Sequence, residues 1–162
     1  RAFVRPLAPE VVPVSEPERA VLEAAYRATA YEALGPGVEL DLRVDERSAA
    51  LDALLTSTGR TSWAFLTAWN PGSQPLAPEE NAERQRALWA ALEASSGEGG
   101  EPPLLLPGRG RGLEGDWPAE ESVLALGLQR GVALQLARRF GQNAFLGGRR
   151  GDFAQLVWCD EA

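Results

Sequence analysis

Hydrophobic and polar positions along this chain are most sharply organised in residues 61–92, TSWAFLTAWNPGSQPLAPEENAERQRALWAAL. Residues 62–69 are nearly all apolar, the pattern of a central strand covered on both faces. Asn70-Pro71-Gly72 marks a sharp turn. Pro78 followed by Glu79 and Glu80 opens a helix, since proline fits a first turn and acidic groups favour that end of the dipole. Along that helix Asn81, Gln85, Leu88 and Leu92 form one continuous stripe.

The rest of the chain is read against that segment. Pro6, Pro9 and Pro13 predict an extended lead-in over residues 1–14. Ser15 with Glu18 matches a capping box, and the helix it starts is predicted to run to about Ala33, where Gly35-Pro36-Gly37 ends it. Residues 38–44 alternate, with Val38, Leu40, Leu42 and Val44 on one side and Glu39, Asp41 and Arg43 on the other. That is an edge or outer strand with one wet face. A short helix over residues 48–56 follows, with Gly59 as its stop.

Beyond the third helix, SSGEGGE (95–101) reads as a flexible surface loop. Residues 104–106 form a short strand, and PGRGRGLEGDWPAEES a glycine-rich loop that Trp117 argues is ordered. Residues 122–128 form an apolar strand and 131–140 a helix; 143–146 and 153–158 flank GGRRGD as a β-hairpin. The predicted class is α/β (or α+β): a single-domain mixed sheet flanked by helices, spanning residues 15–162, with a C-terminal hairpin.

Composition then narrows the chemistry. Net charge is −7, from 23 acidic residues against 16 basic ones that are all arginine, so duplex nucleic acid is a poor partner. With no His there is no imidazole catalyst and no His metal site; with no Lys there is no Schiff base and no P-loop lysine. Cys159 is alone, in LVWCDEA, and reads as a buried inert thiol. No cofactor and no metal are expected. No apolar run approaches the ~20 residues that cross a bilayer, and the proline-interrupted N-terminus lacks a signal-peptide core, so a cytoplasmic location is expected. The chain contains no Met and is expected to begin after processing or trimming.

Three stretches, LTAWNPGSQPLAPEENAERQRAL, LPGRGRGLEGDWPAEESVLALGL and LARRFGQNAFL, together resemble an uncharacterised bacterial family, the domain of unknown function 3293. YRATAYEA and LDLRVD extend the resemblance to roughly residues 26–157. It implies one intact domain and implies nothing about chemistry.

Candidate site residues fall in three groups. Asn70, Ser73, Asn81 and Arg84 gather where the central strand ends and the next helix begins, a position that favours ligands in open α/β sheets. Arg84 could grip a carboxylate or phosphate; the competing reading is that Asn70 caps its own turn and Asn81 serves a neighbouring loop. Arg109 and Arg111, between glycines, could meet phosphate or single-stranded nucleic acid, with Trp117 alongside and Glu120 and Asp116 as an acid–base pair. Otherwise they are a solvated loop. Gln142 and Asn143 could read a polar ligand or satisfy the helix end. Tyr26 and Tyr31 read as core residues with a wet hydroxyl, and Arg149-Arg150 as an exposed turn.

These residues suit recognition better than catalysis. The sequence therefore predicts a non-catalytic binding or adaptor domain for a polar or anionic ligand or a protein partner, where the 70–81 and 107–120 loops converge. The alternative is an enzyme using Asp/Glu acid–base chemistry with arginine stabilisation on a phosphorylated or nucleotide substrate.

Overall fold

The computed structural model describes residues 13–161; most of the predicted lead-in lies outside that span. Helix α1 (Glu16–Arg27) starts at Ser15, whose side chain accepts from the Glu18 amide. The predicted continuation to Ala33 is not helical, because the chain breaks at Ala28 and forms β1 (Thr29–Gly35). Pro36-Gly37 then turns the chain into β2 (Val38–Leu42), with Gly37 at φ 70°. Ala, Tyr, Glu and Leu have adequate helix propensity, so pairing decides the matter: β1 is hydrogen-bonded on both sides, which buries Tyr31 and Ala33. Ser48 caps α2 (Ala49–Ser57), and all five residues of β3 (Ser62–Leu66) are buried.

After β3 come α3 (Pro78–Glu93), β4 (Leu104–Gly112), β5 (Glu120–Leu126), α4 (Arg130–Arg139), β6 (Ala144–Arg149) and β7 (Gln155–Trp158). The buried residues of α3 are Asn81, Gln85, Leu88 and Leu92, the predicted stripe. Among the described residues, all seven strands form one sheet in the order β2-β1-β4-β5-β3-β6-β7, with β2 at an edge. Helix–strand alternation predicts parallel pairs, yet every ladder is antiparallel. The β3-α3-β4 crossover does join two parallel strands, but β5 lies between them; β3 in turn separates β5 from β6 across α4. Two interlocked split β-α-β units result, the ferredoxin-like arrangement, extended by β1 and β2 on one side and β7 on the other.

The sheet separates two cores. Ala64, Leu66, Val123, Ala125 and Phe145 pack against α3 and α4, while Trp63, Phe65, Leu124, Leu126 and Leu146 pack with Tyr31, Leu51 and Leu55 on the α2 side. Cys159 lies in the first core, and burial pushes its thiol up to about 11, which removes it as a nucleophile near neutral pH. Tyr31 is buried in the second and its hydroxyl donates to the Tyr26 carbonyl at 3.4 Å; burial raises both tyrosines. Among the described residues, no helix is long and apolar enough to cross a membrane.

Two predicted loops are corrected. The glycine-rich run Gly108–Gly112 is strand, paired with β1 and β5. Glycine is needed at 108 because a Cβ there would sit 2.7 Å from the Glu32 carbonyl and 3.0 Å from the Phe65 ring, which stacks edge-on against Tyr31. The loop proper is residues 113–119. SSGEGGE, predicted to be flexible, is pinned by Glu98. Its carboxylate accepts from the Thr61 amide at 3.0 Å, the Ser62 amide and the Ser62 hydroxyl. Burial alone would raise the Glu98 carboxyl, but these hydrogen bonds outweigh it and hold it below the usual range.

Glu98→Ala is therefore expected to destabilise the fold by about 2 kcal/mol, the scale of hydrogen bonds to a charged group, as a lower urea midpoint at unchanged slope. Because this carboxyl is depressed in the folded state, its contribution is present above the ordinary glutamate pKa. It should fade as pH falls through the folded value, so the wild-type advantage should shrink in acid.

Candidate functional site

The loops of residues 70–81 and 113–119 meet at the carboxyl end of β3. Asn70 sits there at φ 45°, in the left-handed region that asparagine tolerates better than most residues. Asn70 and Asn81 bond reciprocally: the Asn70 amide donates to Asn81 Oδ1 at 2.8 Å and Asn81 Nδ2 donates to Asn70 Oδ1 at 2.7 Å. Leu76 N also donates to Asn70 Oδ1, and Asn81 Nδ2 also reaches the Leu76 carbonyl. Neither asparagine is more than 9% exposed. In this geometry they close the turn.

The neighbours are spent in the same way. Arg84 donates through Nε to the Ala68 carbonyl at 3.1 Å and through Nη2 to the Phe140 carbonyl. Gln142 Nε2 serves the Trp69 and Phe140 carbonyls, and Asn143 Nδ2 donates to Ser73 Oγ at 3.1 Å. Gln85, which the sequence reading placed only in the stripe, accepts from the Ala68 amide and leaves its Nε2 buried without a partner. Arginine and amide side chains thus satisfy the ends of β3 and α4, which backbone alone leaves open.

Glu120, the first residue of β5, joins the two loops. Its Oε1 accepts from Asn70 Nδ2 at 2.9 Å and from Trp117 Nε1 at 3.1 Å. Burial pushes its carboxyl above the usual range, and the two donors only partly offset this. Trp117 stays 51% exposed, Asp116 is exposed, and the Ser122 hydroxyl donates to the Glu120 carbonyl. Arg109 and Arg111 lie elsewhere: both Nε atoms donate to Glu32 Oε1 at 3.0 Å, on the outer face of β1 and β4. The structure therefore joins Asn70, Ser73, Asn81, Arg84, Trp117, Glu120, Gln142 and Asn143 around one corner and leaves Arg109 and Arg111 out of it.

The larger open space lies at the opposite end of β3. A groove of about 390 Å³ runs between the start of α4 and the β6–β7 hairpin, bounded by Trp63, Phe145, Phe153, Arg130, Arg149 and Gln155. A second cavity, of about 20 Å³, has room for about one water. Neither is lined by Asp116, Glu120, Arg84, Arg109 or Arg111. Gly147 keeps the groove's floor low, since a Cβ there would meet the Phe145 ring at 3.3 Å; at Gly148 a Cβ would point to the opposite face and meet the Trp63 indole at 3.1 Å. Phe153 stands 58% exposed at its rim. Sequence reading missed this site. Its available signal was GGRR followed by an aromatic residue in the hairpin loop, with Gln129 and Arg130 some twenty residues earlier.

Two outcomes are expected at the Asn70 corner. Asn81→Ala strands the buried Asn70 amide and should cost roughly 3 kcal/mol in denaturant unfolding. Glu120→Gln keeps an acceptor for Asn70 and Trp117 but removes the charge. A carboxyl raised in the folded state loses stability as pH rises from the ordinary glutamate value of about 4.3 through its folded value. The stability of Glu120→Gln relative to wild type should therefore increase with pH across that window.

The family model described as protein of unknown function (DUF3293) matches residues 66–145. That span is narrower than the resemblance over residues 26–157 and runs from the end of β3 through α3, β4, β5 and α4 into β6. No curated protein and no solved structure matches the chain. Residues 66–145, just under half of the chain, are thus similar to the DUF3293 family.

Proposed function

We propose that this protein is a non-catalytic binding domain that holds a small polar or anionic ligand in the groove between α4 and the β6–β7 hairpin. The observation that carries the reading is the groove itself. Its volume of about 390 Å³ falls within the roughly 300–1,000 Å³ of small-molecule sites. Its walls combine aromatic surface with a few polar groups, the usual composition of such sites.

Hydrogen bonding at the other end of β3 supports the same choice. Recognition at Asn70, Asn81, Arg84 and Gln142 would have to break bonds that close the turn and the end of α4. The rival enzyme needs a carboxylate and an arginine in one cleft. Glu120 is the carboxylate with a raised pKa, but its partners are Asn70 and Trp117, while Arg109 and Arg111 are held by Glu32.

A thermal-shift screen of the full chain with nucleotides and small carboxylates tests the reading. A compound at ten times its Kd should raise Tm by roughly 3–6 °C. The shift should vanish in Gln155→Trp, which fills the groove, and persist in Trp117→Phe, at the opposite corner. A hit that survives Gln155→Trp, or no hit from any compound, overturns the assignment of the ligand to this groove.

A further inference from the structure

The groove's charge and shape say more about its occupant than its volume does. Among its lining residues are two guanidiniums, Arg130 and Arg149, and one carboxylate, Asp152, so the lining carries a net single positive charge in a chain of net charge −7. Arg149 makes no side-chain hydrogen bond and no salt bridge among the described residues. Glu98, whose carboxyl feels the Arg149 charge, is outside the lining and committed to Thr61 and Ser62. Arg130 Nη1 donates to Gln155 Oε1 at 2.9 Å, which fixes one edge of its guanidinium with a neutral partner and preserves its charge. The first turn of α4, where Arg130 sits, carries no acidic residue.

Shape adds a second constraint. Gly147 gives the floor no side chain of its own, and the buried Phe145 ring lies against it. Phe153 lines the groove with its ring 58% exposed, although the Arg47 guanidinium lies 5.9 Å from the ring centroid. One exposed aromatic ring beside one uncompensated positive charge suits a ligand that is itself flat and carries one negative charge. A dianionic phosphate would exceed the charge available and leave the Phe153 ring uncovered.

Resting on the groove reading above, we propose that the occupant is a planar aromatic monocarboxylate, its carboxylate paired with Arg149 and Arg130 and its ring covered by Phe153. Guanidinium and carboxylate are complementary planar forks, and ring stacking adds contact that an aliphatic acid cannot supply.

Calorimetry on the full chain with four probes tests this: 2-naphthoate, its neutral isostere 2-naphthamide, cyclohexanecarboxylate and inorganic phosphate. 2-Naphthoate is expected to bind at least tenfold more tightly than each of the other three. Arg149→Gln should weaken 2-naphthoate at least tenfold while leaving 2-naphthamide unchanged, and Phe153→Ala should weaken both aromatic probes about fivefold. Both side chains are exposed, so Tm of each variant should match wild type and separate lost binding from lost folding. Equal binding of 2-naphthamide and 2-naphthoate, abolished by Gln155→Trp, would overturn the anion assignment and keep the groove. Tighter binding of phosphate or cyclohexanecarboxylate would overturn the planar monoanion. Failure of all four probes, with no hit in the wider screen, would overturn the groove reading itself.

Discussion

Burial of β3 on both faces is the constraint from which the rest of the structure follows. A strand with Trp63 and Phe65 on one side and Ala64 and Leu66 on the other can exist only inside a sheet covered by two layers. Its two neighbours, β5 and β6, are supplied from later in the chain, β5 through the loop of residues 113–119 after β4 and β6 through the α4 crossover. Because β3 fills the gap between β5 and β6, and β5 fills the gap between β3 and β4, both crossovers are split. The antiparallel sheet, the shared face of α3 and α4, and the two separate cores all follow from that interleaving.

The two ends of β3 then meet different demands. At its carboxyl end the chain makes an abrupt turn under α3, and Asn70, Asn81, Arg84 and Gln142 are consumed in satisfying backbone groups that the turn strands. Glu120 is trapped there at the cost of a raised carboxyl, and Trp117 is drawn onto it. At the amino end, Glu98 accepts from the Thr61 and Ser62 amides, and the groove lies between the start of α4 and the β6–β7 hairpin. One end is closed by polar side chains; the other is left as a groove.

Much of this was legible in local pattern. The α3 stripe, the caps at Ser15 and Ser48, the wet edge strand and the terminal hairpin all depend on residues within a few positions of one another. What misled were segments whose state is decided by distant partners. Residues 29–33 carry good helix formers yet are strand, because β4 and β2 both pair with them. Residues 108–112 have the composition of a turn, but they pair with β1 and β5, and Gly108 makes room for Phe65 from a strand more than forty residues earlier. The Asn70 corner could be located, because turn, helix start and polar residues are adjacent in sequence. That its amides would serve one another could not be read, since reciprocal bonding is a matter of ångströms.

The sequence alone determined the alternation of elements, the two-sided burial of β3, the absence of imidazole and amine chemistry, and the family resemblance. Each is a property of residue identity or short-range periodicity. Tertiary structure decided which strands are neighbours, where Arg109 and Arg111 spend their charge, and where space remains. Strand order and cavity shape depend on contacts between residues tens of positions apart, and local periodicity carries no record of those distances.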